Sequence, residues 1–87
     1  MRWLRKVFGR KGFTVAIVDR GAVAYIENGR RMTIAGEMLI DGFQIYVASI
    51  VAWDDSDGEL IDEAEKKRIL QNVTNWMQEH NQRVEFG

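Results

Sequence analysis

The chain has 87 residues, of which 46% are hydrophobic and 29% are charged, and its formal net charge is -1 at pH 7. These values are typical of a folded domain and exclude the polar, low-hydrophobicity composition of a disordered chain. A single domain of this length buries only about 60 to 65% of the surface that its unfolded chain exposes, so we expect modest stability. Because the chain contains no cysteine, disulfides, thiolate zinc sites and cysteine nucleophiles are excluded.

The charges are distributed unevenly along the chain. Eight basic and two acidic residues precede residue 34, whereas four basic and eleven acidic residues follow from there. Such asymmetry indicates either a charged partner or two halves that neutralise each other in the fold. No apolar run approaches the length of about 18 residues that a membrane span needs, and the basic start lacks the apolar segment of a signal peptide. We therefore expect a soluble, cytoplasmic protein.

Residues 1–12 form a basic segment in which aromatic and aliphatic residues separate the charges. The pattern is compatible with a short amphipathic helix that binds anionic lipid or nucleic acid. The alternative is that its apolar residues close one end of the core while the charged ones stay solvated. The basic residues of such a binding surface would be Arg2, Arg5, Lys6, Arg10, Lys11, Arg30 and Arg31.

The segment that follows predicts two strands and a tight turn. Apolar side chains alternate along residues 13–18, and a second run at 22–27 follows a turn-forming Asp-Arg-Gly sequence. Asn28-Gly29 comes next, and Asn-Gly is the strongest short hairpin signal because both residues tolerate positive φ. The sequence therefore predicts a β-hairpin whose turn is Asn28-Gly29.

Further strands are expected on the C-terminal side of this hairpin. Residues 30–40 supply the return strand and continue the meander. An Asp-Gly pair then repeats the turn chemistry, and the alternating run after it predicts a last strand from Phe43 to about Trp53. These segments together predict an antiparallel β-meander of four to five strands over residues 13–53.

After residue 60 the apolar period changes from two to between three and four residues, which predicts an amphipathic helix over residues 62–81. Asp62 and Glu65 fit the N-cap and N3 positions of a capping box, and residues 84–86 are either a short final strand or a frayed end. A sheet followed by one long amphipathic helix predicts that the whole chain, residues 1–87, is one α+β domain in which the helix covers the sheet. The apolar stripe of the helix consists of Ile69, Val73, Trp76 and Met77.

An acidic loop at residues 54–61 lies between the predicted sheet and helix. A calcium loop would place oxygen ligands at alternating positions and close with a glutamate. Here its first and last ligand positions fall on Trp53 and Ala64, so a calcium site is disfavoured. Paired carboxylates for acid-base chemistry need burial in a cleft, whereas this segment is rich in turn residues. A solvated loop or a docking segment for a basic partner remains.

Residues suited to catalysis are few. The single histidine, His80, falls near the end of the predicted helix, where contact with the last carbonyls is the ordinary role. Ser49 and Ser56 lack the glycine-rich turn of a nucleophile elbow, and the short glycine-containing sequences are not phosphate-binding loops. We therefore predict no enzymatic activity, no cofactor, no metal site and no small-molecule substrate.

Four segments of the chain share a pattern with a known family. They are GRRMTIAGEMLI at 29–40, DGFQIY at 41–46, SIVAWD at 49–54 and IDEAEKKRIL at 61–70. Together they resemble the immunity protein 74 family of bacterial polymorphic-toxin and contact-dependent inhibition systems, over about residues 15–77. The resemblance implies a small cytoplasmic protein that binds a cognate toxin and neutralises it by occlusion.

Many toxins of such systems are nucleases with positively charged clefts, so the resemblance implies docking of the toxin on the acidic loop. Trp53 would either anchor this contact or belong to the core, and the sequence leaves both roles open. The expected toxin-binding residues are Trp53, Asp54, Asp55, Asp57 and Glu59.

Two alternatives to a toxin-binding protein remain open. One is a nucleic-acid or membrane-surface module that uses the basic residues named above, although the acidic half would repel phosphate and disfavours nucleic acid. The other is a structural domain that oligomerises through a sheet edge. The sequence does not predict the oligomeric state.

Overall fold

The computed structural model describes residues 12–54 and 59–87. These residues form a five-stranded sheet and one long helix, so the predicted α+β class is confirmed. In the described part of the chain, no helix has the length and apolar character needed to cross a membrane. The elements are β1 (Phe13–Asp19), β2 (Ala22–Glu27), β3 (Arg30–Met38), β4 (Gly42–Ile45), a 3₁₀ turn (Val47–Ser49), α1 (Glu63–Glu79) and β5 (Arg83–Phe86).

The first four strands form the predicted antiparallel meander. In the turn between β2 and β3, Asn28 has a φ of 54° and Gly29 a φ of 75°, and Glu27 is paired with Arg30 across the turn. Because both turn residues lie in the left-handed region, the two-residue loop matches the twist of the strands that flank it. The Asn28-Gly29 hairpin is therefore confirmed.

The sheet departs from the predicted meander at β5 and in the length of β4. β4 pairs antiparallel with β3, but β5 pairs parallel with β4, so the sheet is mixed and its order is β1-β2-β3-β4-β5. The prediction of one strand from Phe43 to about Trp53 is wrong, because β4 ends at Ile45 and the 3₁₀ turn follows. Ser49 stabilises this turn, since its Oγ donates to the Tyr46 carbonyl at 2.7 Å. A local side-chain bond of this kind competes with strand pairing.

Helix α1 begins at the predicted capping box. The Asp62 side chain accepts from the Glu65 N–H at 2.8 Å, and the Glu65 side chain accepts from the Asp62 N–H at 3.3 Å. Such a box satisfies two N–H groups that the first turn leaves without intrahelical partners. The helix ends at Glu79, before the predicted residue 81, because Asn81 adopts a φ of 60°. This turn returns the chain towards the sheet as β5.

The hydrophobic core lies between α1 and one face of the sheet. Side chains alternate between the two faces of a strand, which places Val23 and Tyr25 of β2 towards the helix. Each large apolar side chain that is fully buried stabilises the fold by about 1.5 to 3 kcal/mol relative to an exposed one. The side chains of the core are Val15, Val23, Tyr25, Met32, Ile34, Phe43, Ile45, Ile50, Trp53, Ile69, Val73 and Met77.

Candidate functional site

The acidic loop leaves the fold at an edge of β3 that β4 does not cover. β4 pairs only with residues 36–38 of β3, and residues 46–54 run beside the remainder. The Tyr46 N–H donates to the Ala35 carbonyl at 2.9 Å, and the Asp54 N–H donates to the Arg31 carbonyl at 2.7 Å. These backbone bonds fix the start of the loop against the sheet.

Trp53 points from this edge into the core. Its side chain is 1% exposed, and its ring centroid lies 6.2 Å from that of Tyr25. The Arg30 guanidinium lies over the indole, 4.3 Å from the ring centroid, a cation-π contact. Of the two roles that the sequence left open, Trp53 therefore has the core role. The Trp53 ring thereby supports Arg30 at this edge of β3.

Arg30 joins the acidic loop to the helix. Its guanidinium lies 3.4 Å from the Glu59 carboxylate and 3.7 Å from that of Glu65. The backbone reinforces the same connection, since the Trp53 N–H donates to the Glu59 carbonyl at 3.1 Å. Here the basic first half of the chain neutralises part of the acidic second half, as one reading of the charge pattern predicted. Because these groups are only partly buried, such ion pairs contribute only about 0 to 1 kcal/mol each.

The two described acidic-loop carboxylates are held by opposite faces of the sheet. Asp54 accepts a hydrogen bond from the Thr33 hydroxyl at 2.8 Å, and Thr33 lies on the face opposite α1. Glu59 is held by Arg30, which starts from the helix-facing side of the same strand. Because side chains alternate between the two faces of a strand, the consecutive residues Arg30 and Arg31 also lie on opposite faces of the sheet. The structure therefore does not place the two arginines of the predicted basic surface on one face.

Several residues that the sequence nominated lie outside the described residues. Two of them are carboxylates of the acidic loop, and they lie in the sequence between Asp54 and Glu59, which the structure does describe. The other five belong to the basic N-terminal segment. The residues concerned are Asp55, Asp57, Arg2, Arg5, Lys6, Arg10 and Lys11.

A polar network beside Trp53 was not predicted from the sequence. Glu27 is 8% exposed, and its two carboxylate oxygens accept from Arg68 Nε at 3.0 Å and Nη2 at 2.7 Å. The Tyr25 hydroxyl donates to Glu27 at 3.2 Å and accepts from the Asn72 amide at 2.9 Å. Burial is the largest cause that raises the pKa of Tyr25, to about 12. The signal that sequence reasoning missed is the position of Glu27. It alternates along β2 with Val23 and Tyr25, so its side chain lies on the same inward face of the strand.

Of the residues considered for catalysis, His80 and Ser49 have structural contacts, and Ser56 lies outside the described residues. The His80 ring stacks on Trp76 with 4.1 Å between centroids, and its Nδ1 lies 2.8 Å from the Trp76 carbonyl, as expected near a helix end. The Ser49 Oγ accepts from the Ala35 N–H at 3.0 Å. Within residues 12–54 and 59–87, no group of three or more potential ligand side chains is placed to hold a metal ion.

The fold and these contacts define a small α+β domain whose polar side chains form ion pairs and hydrogen bonds around one strand edge. Within this class the chain belongs to the Immunity protein 74 family, whose family model matches residues 11–87. The resemblance found in the sequence is thereby confirmed, and the protein is an immunity protein. Comparisons with curated proteins and with solved structures gave no match.

Proposed function

We propose that this immunity protein binds a cognate bacterial toxin in the cytoplasm and neutralises it by occlusion, with no catalytic step of its own. The observation that carries the proposal is the family match over residues 11–87. Toxins of polymorphic and contact-dependent inhibition systems are the class of partner that this family implies. An inhibitor of this kind acts through its affinity and its association rate.

The acidic loop is the surface that we assign to the toxin. Asp54 is exposed and the Glu59 side chain is 59% exposed, and the sequence places Asp55 and Asp57 between them. The carboxylates of this segment complement the basic cleft of a nuclease in charge, and complementary charge raises the association rate and excludes wrong partners. The carboxylates would also compete with the phosphates of a nucleic-acid substrate.

The contacts at both ends of the loop support this assignment. The Asp54 N–H is bonded to Arg31, and the Trp53 N–H to Glu59, while Arg30 lies between the Trp53 ring and the Glu59 carboxylate. Fixed ends reduce the conformational entropy that the loop loses when it binds. In this proposal Trp53 contributes by holding Arg30 and the loop ends in place.

A comparison of two charge-matched variants tests the proposed surface. In the first variant, Asp54, Asp55, Asp57 and Glu59 are replaced with Ser; in the control, four carboxylates elsewhere are replaced with Ser. Both lose the same charge, so a local role of the loop is separated from the overall field of the protein. The control positions are Asp19, Glu37, Glu63 and Glu79.

The measurement is the association rate with the purified toxin domain encoded beside the gene for this chain. We expect the loop variant to associate at least about tenfold more slowly at low salt, with a smaller difference at high salt. The control should associate within about twofold of the original protein. Equal rates for the two variants would contradict docking on the acidic loop. Retention of the protein on heparin, lost at moderate salt, would instead support a surface made of the basic residues.

A further inference from the structure

A shallow groove lies between α1 and β5, away from the acidic loop. Its volume is about 290 Å³, and it opens to solvent beside Phe86, which is 55% exposed. Pockets for small molecules bury most of the ligand surface. Because this groove is open to solvent, it fits one or two side chains of another protein better. The lining residues are Lys67, Leu70, Gln71, Thr74 and Phe86.

The groove adjoins a free strand edge. The Arg83 N–H donates to the Asp41 carbonyl at 2.9 Å, and the Gly87 N–H donates to the Ile45 carbonyl at 2.8 Å, so both point towards β4. Since backbone groups alternate along a strand, the N–H and C=O groups of Val84 and Phe86 point away from β4. Among the described residues, β5 has no strand partner on that side. Only an extended backbone can pair with this row of groups.

We propose that an extended segment of the toxin adds to β5 as a sixth strand and places an apolar side chain in the groove. This inference rests on the proposed function, and it assigns a second contact that is separate from the acidic loop. Backbone bonds to Val84 and Phe86 supply affinity, and the groove selects side chains, as in other cases of strand addition. Alternate side chains of the added strand lie on the helix-facing side, beside Leu70 and Phe86.

Charge identifies the preferred segment. Lys67 lines the groove and has no carboxylate partner among the residues that the structure describes, so an acidic residue near the apolar side chain completes the contact. A second copy of this chain would bring another groove that Lys67 lines, and the like charges of two such grooves disfavour their contact. On the other face of β5, Arg83 and Glu85 are already paired with each other. The charge pattern therefore favours an acidic segment of a different protein.

Two lysines of α1 provide a charge-matched test of the groove. Lys67→Glu reverses the charge in the groove, whereas Lys66→Glu makes the same change one residue away at a position that does not line it. We expect Lys67→Glu to weaken the equilibrium affinity for the purified toxin domain by at least about tenfold and Lys66→Glu to change it by less than about twofold. Equal effects of the two variants would overturn the assignment of the groove.

The backbone contact is tested at Val84. Val84→Pro removes an N–H that faces the free edge, where proline is tolerated because no ladder bond is lost. Val84→Ala removes most of the same side chain and keeps the N–H. We expect Val84→Pro to bind the toxin domain at least about fivefold more weakly than Val84→Ala. If both bind equally, strand addition is wrong. If Val84→Pro does not fold, Phe86→Ser takes its place, with an expected loss of about tenfold.

Failure of this inference can be distinguished from failure of the proposed function. If the loop variant loses toxin affinity while every groove variant binds as the original protein does, the inference is wrong and the proposed function stands. If the original protein does not bind the toxin domain, both are wrong. A concentration-dependent dimer that Phe86→Ser abolishes, with toxin affinity unchanged, would assign the groove to a second copy and overturn the inference.

Discussion

The polar groups at the two ends of the sheet differ in whether they are paired within the chain. At the Trp53 end, defined as β2 and β3 with the residues packed on Trp53, Glu27 is paired with Arg68 and Arg30 with two carboxylates. At the β5 end, defined as β5 with its groove, Phe86 is 55% exposed and Lys67 has no ion-pair partner in the described part of the chain. At the Trp53 end the charged groups are paired within the chain, and the buried Trp53 Nε1 is a polar atom without a hydrogen-bond partner among the described residues. The β5 end leaves exposed groups available to a partner.

This difference indicates how the molecule separates stability from binding. A buried polar group must find its partner within the fold, because leaving it unpaired costs about 1 to 3 kcal/mol. An edge strand and a shallow groove remain solvated, so their unpaired groups cost much less before a partner arrives. We therefore expect substitutions at the Trp53 end to affect unfolding, in addition to any effect on the acidic loop that this end holds, and those at the β5 end to affect binding with little change in unfolding.

The largest expected effect compares the two ends through an aromatic residue of each. Trp53→Ala removes a side chain that is 1% exposed and leaves a cavity under Arg30, so we expect a loss of about 3 to 5 kcal/mol in the free energy of unfolding. Phe86→Ala, at 55% exposure, should cost less than about 1 kcal/mol. Urea unfolding of both variants measures the difference. Similar losses would show that the β5 end also stabilises the fold.

A smaller effect is expected from an arginine of each end. Arg68→Leu leaves the nearly buried Glu27 carboxylate without its cationic partner. Because the Arg68 side chain is 44% exposed, water replaces part of the contact, and we expect a loss of about 2 kcal/mol. Arg83→Leu removes exposed ion pairs with Asp41 and Glu85 and should cost less than about 1 kcal/mol.

Thermal or urea unfolding at neutral pH compares the two arginine variants. Glu27→Gln in the Arg68→Leu background provides a control, because a neutral amide removes the uncompensated charge. We expect the double variant to recover part of the lost stability. An Arg83→Leu loss as large as that of Arg68→Leu would contradict the distinction between the two ends.

The sequence predicted those parts of the fold that depend on local chemistry. Asn28-Gly29 supplies positive φ values within two residues, and the Asp62–Glu65 box closes within one helical turn, so both are visible in short segments. The alternation of β1 and the period of α1 predicted which faces are apolar. Each of these features was confirmed in the structure.

The features that the sequence did not predict depend on contacts between distant segments. The Glu27 carboxylate meets Arg68, 41 residues away, and no local pattern pairs these two residues. The parallel pairing of β5 with β4 follows from where α1 returns the chain, which short-range alternation does not indicate. Trp53 ends an apolar run next to the acidic loop, so its sequence position fitted an interface as well as a core. Only the packing on Tyr25 distinguishes the two.

The smallest expected effect concerns the pH dependence of the β5 end. A hydrogen bond from Arg83 is the largest cause that lowers the pKa of Asp41 below its usual value, and the carboxylate is exposed. A carboxyl group whose pKa is lower in the folded state stabilises the protein above its unfolded pKa and loses that contribution as the pH falls through the folded pKa. The original protein should therefore lose this contribution on acidification, whereas Asp41→Asn lacks it throughout.

Thermal unfolding of the original protein and of Asp41→Asn, measured from about pH 6 down to about pH 2, tests this expectation. The original protein should unfold at the higher temperature near the top of the range, and the two transitions should converge as Asp41 becomes protonated. Added salt should reduce the difference at the upper pH, because water and ions screen an exposed pair. A difference that persists undiminished at the lowest pH would mean that Asp41 acts through packing or turn geometry. The contact between Asp41 and Arg83 would then stabilise the fold in the way that the contacts of the Trp53 end do, and the distinction between the two ends would not hold for this pair.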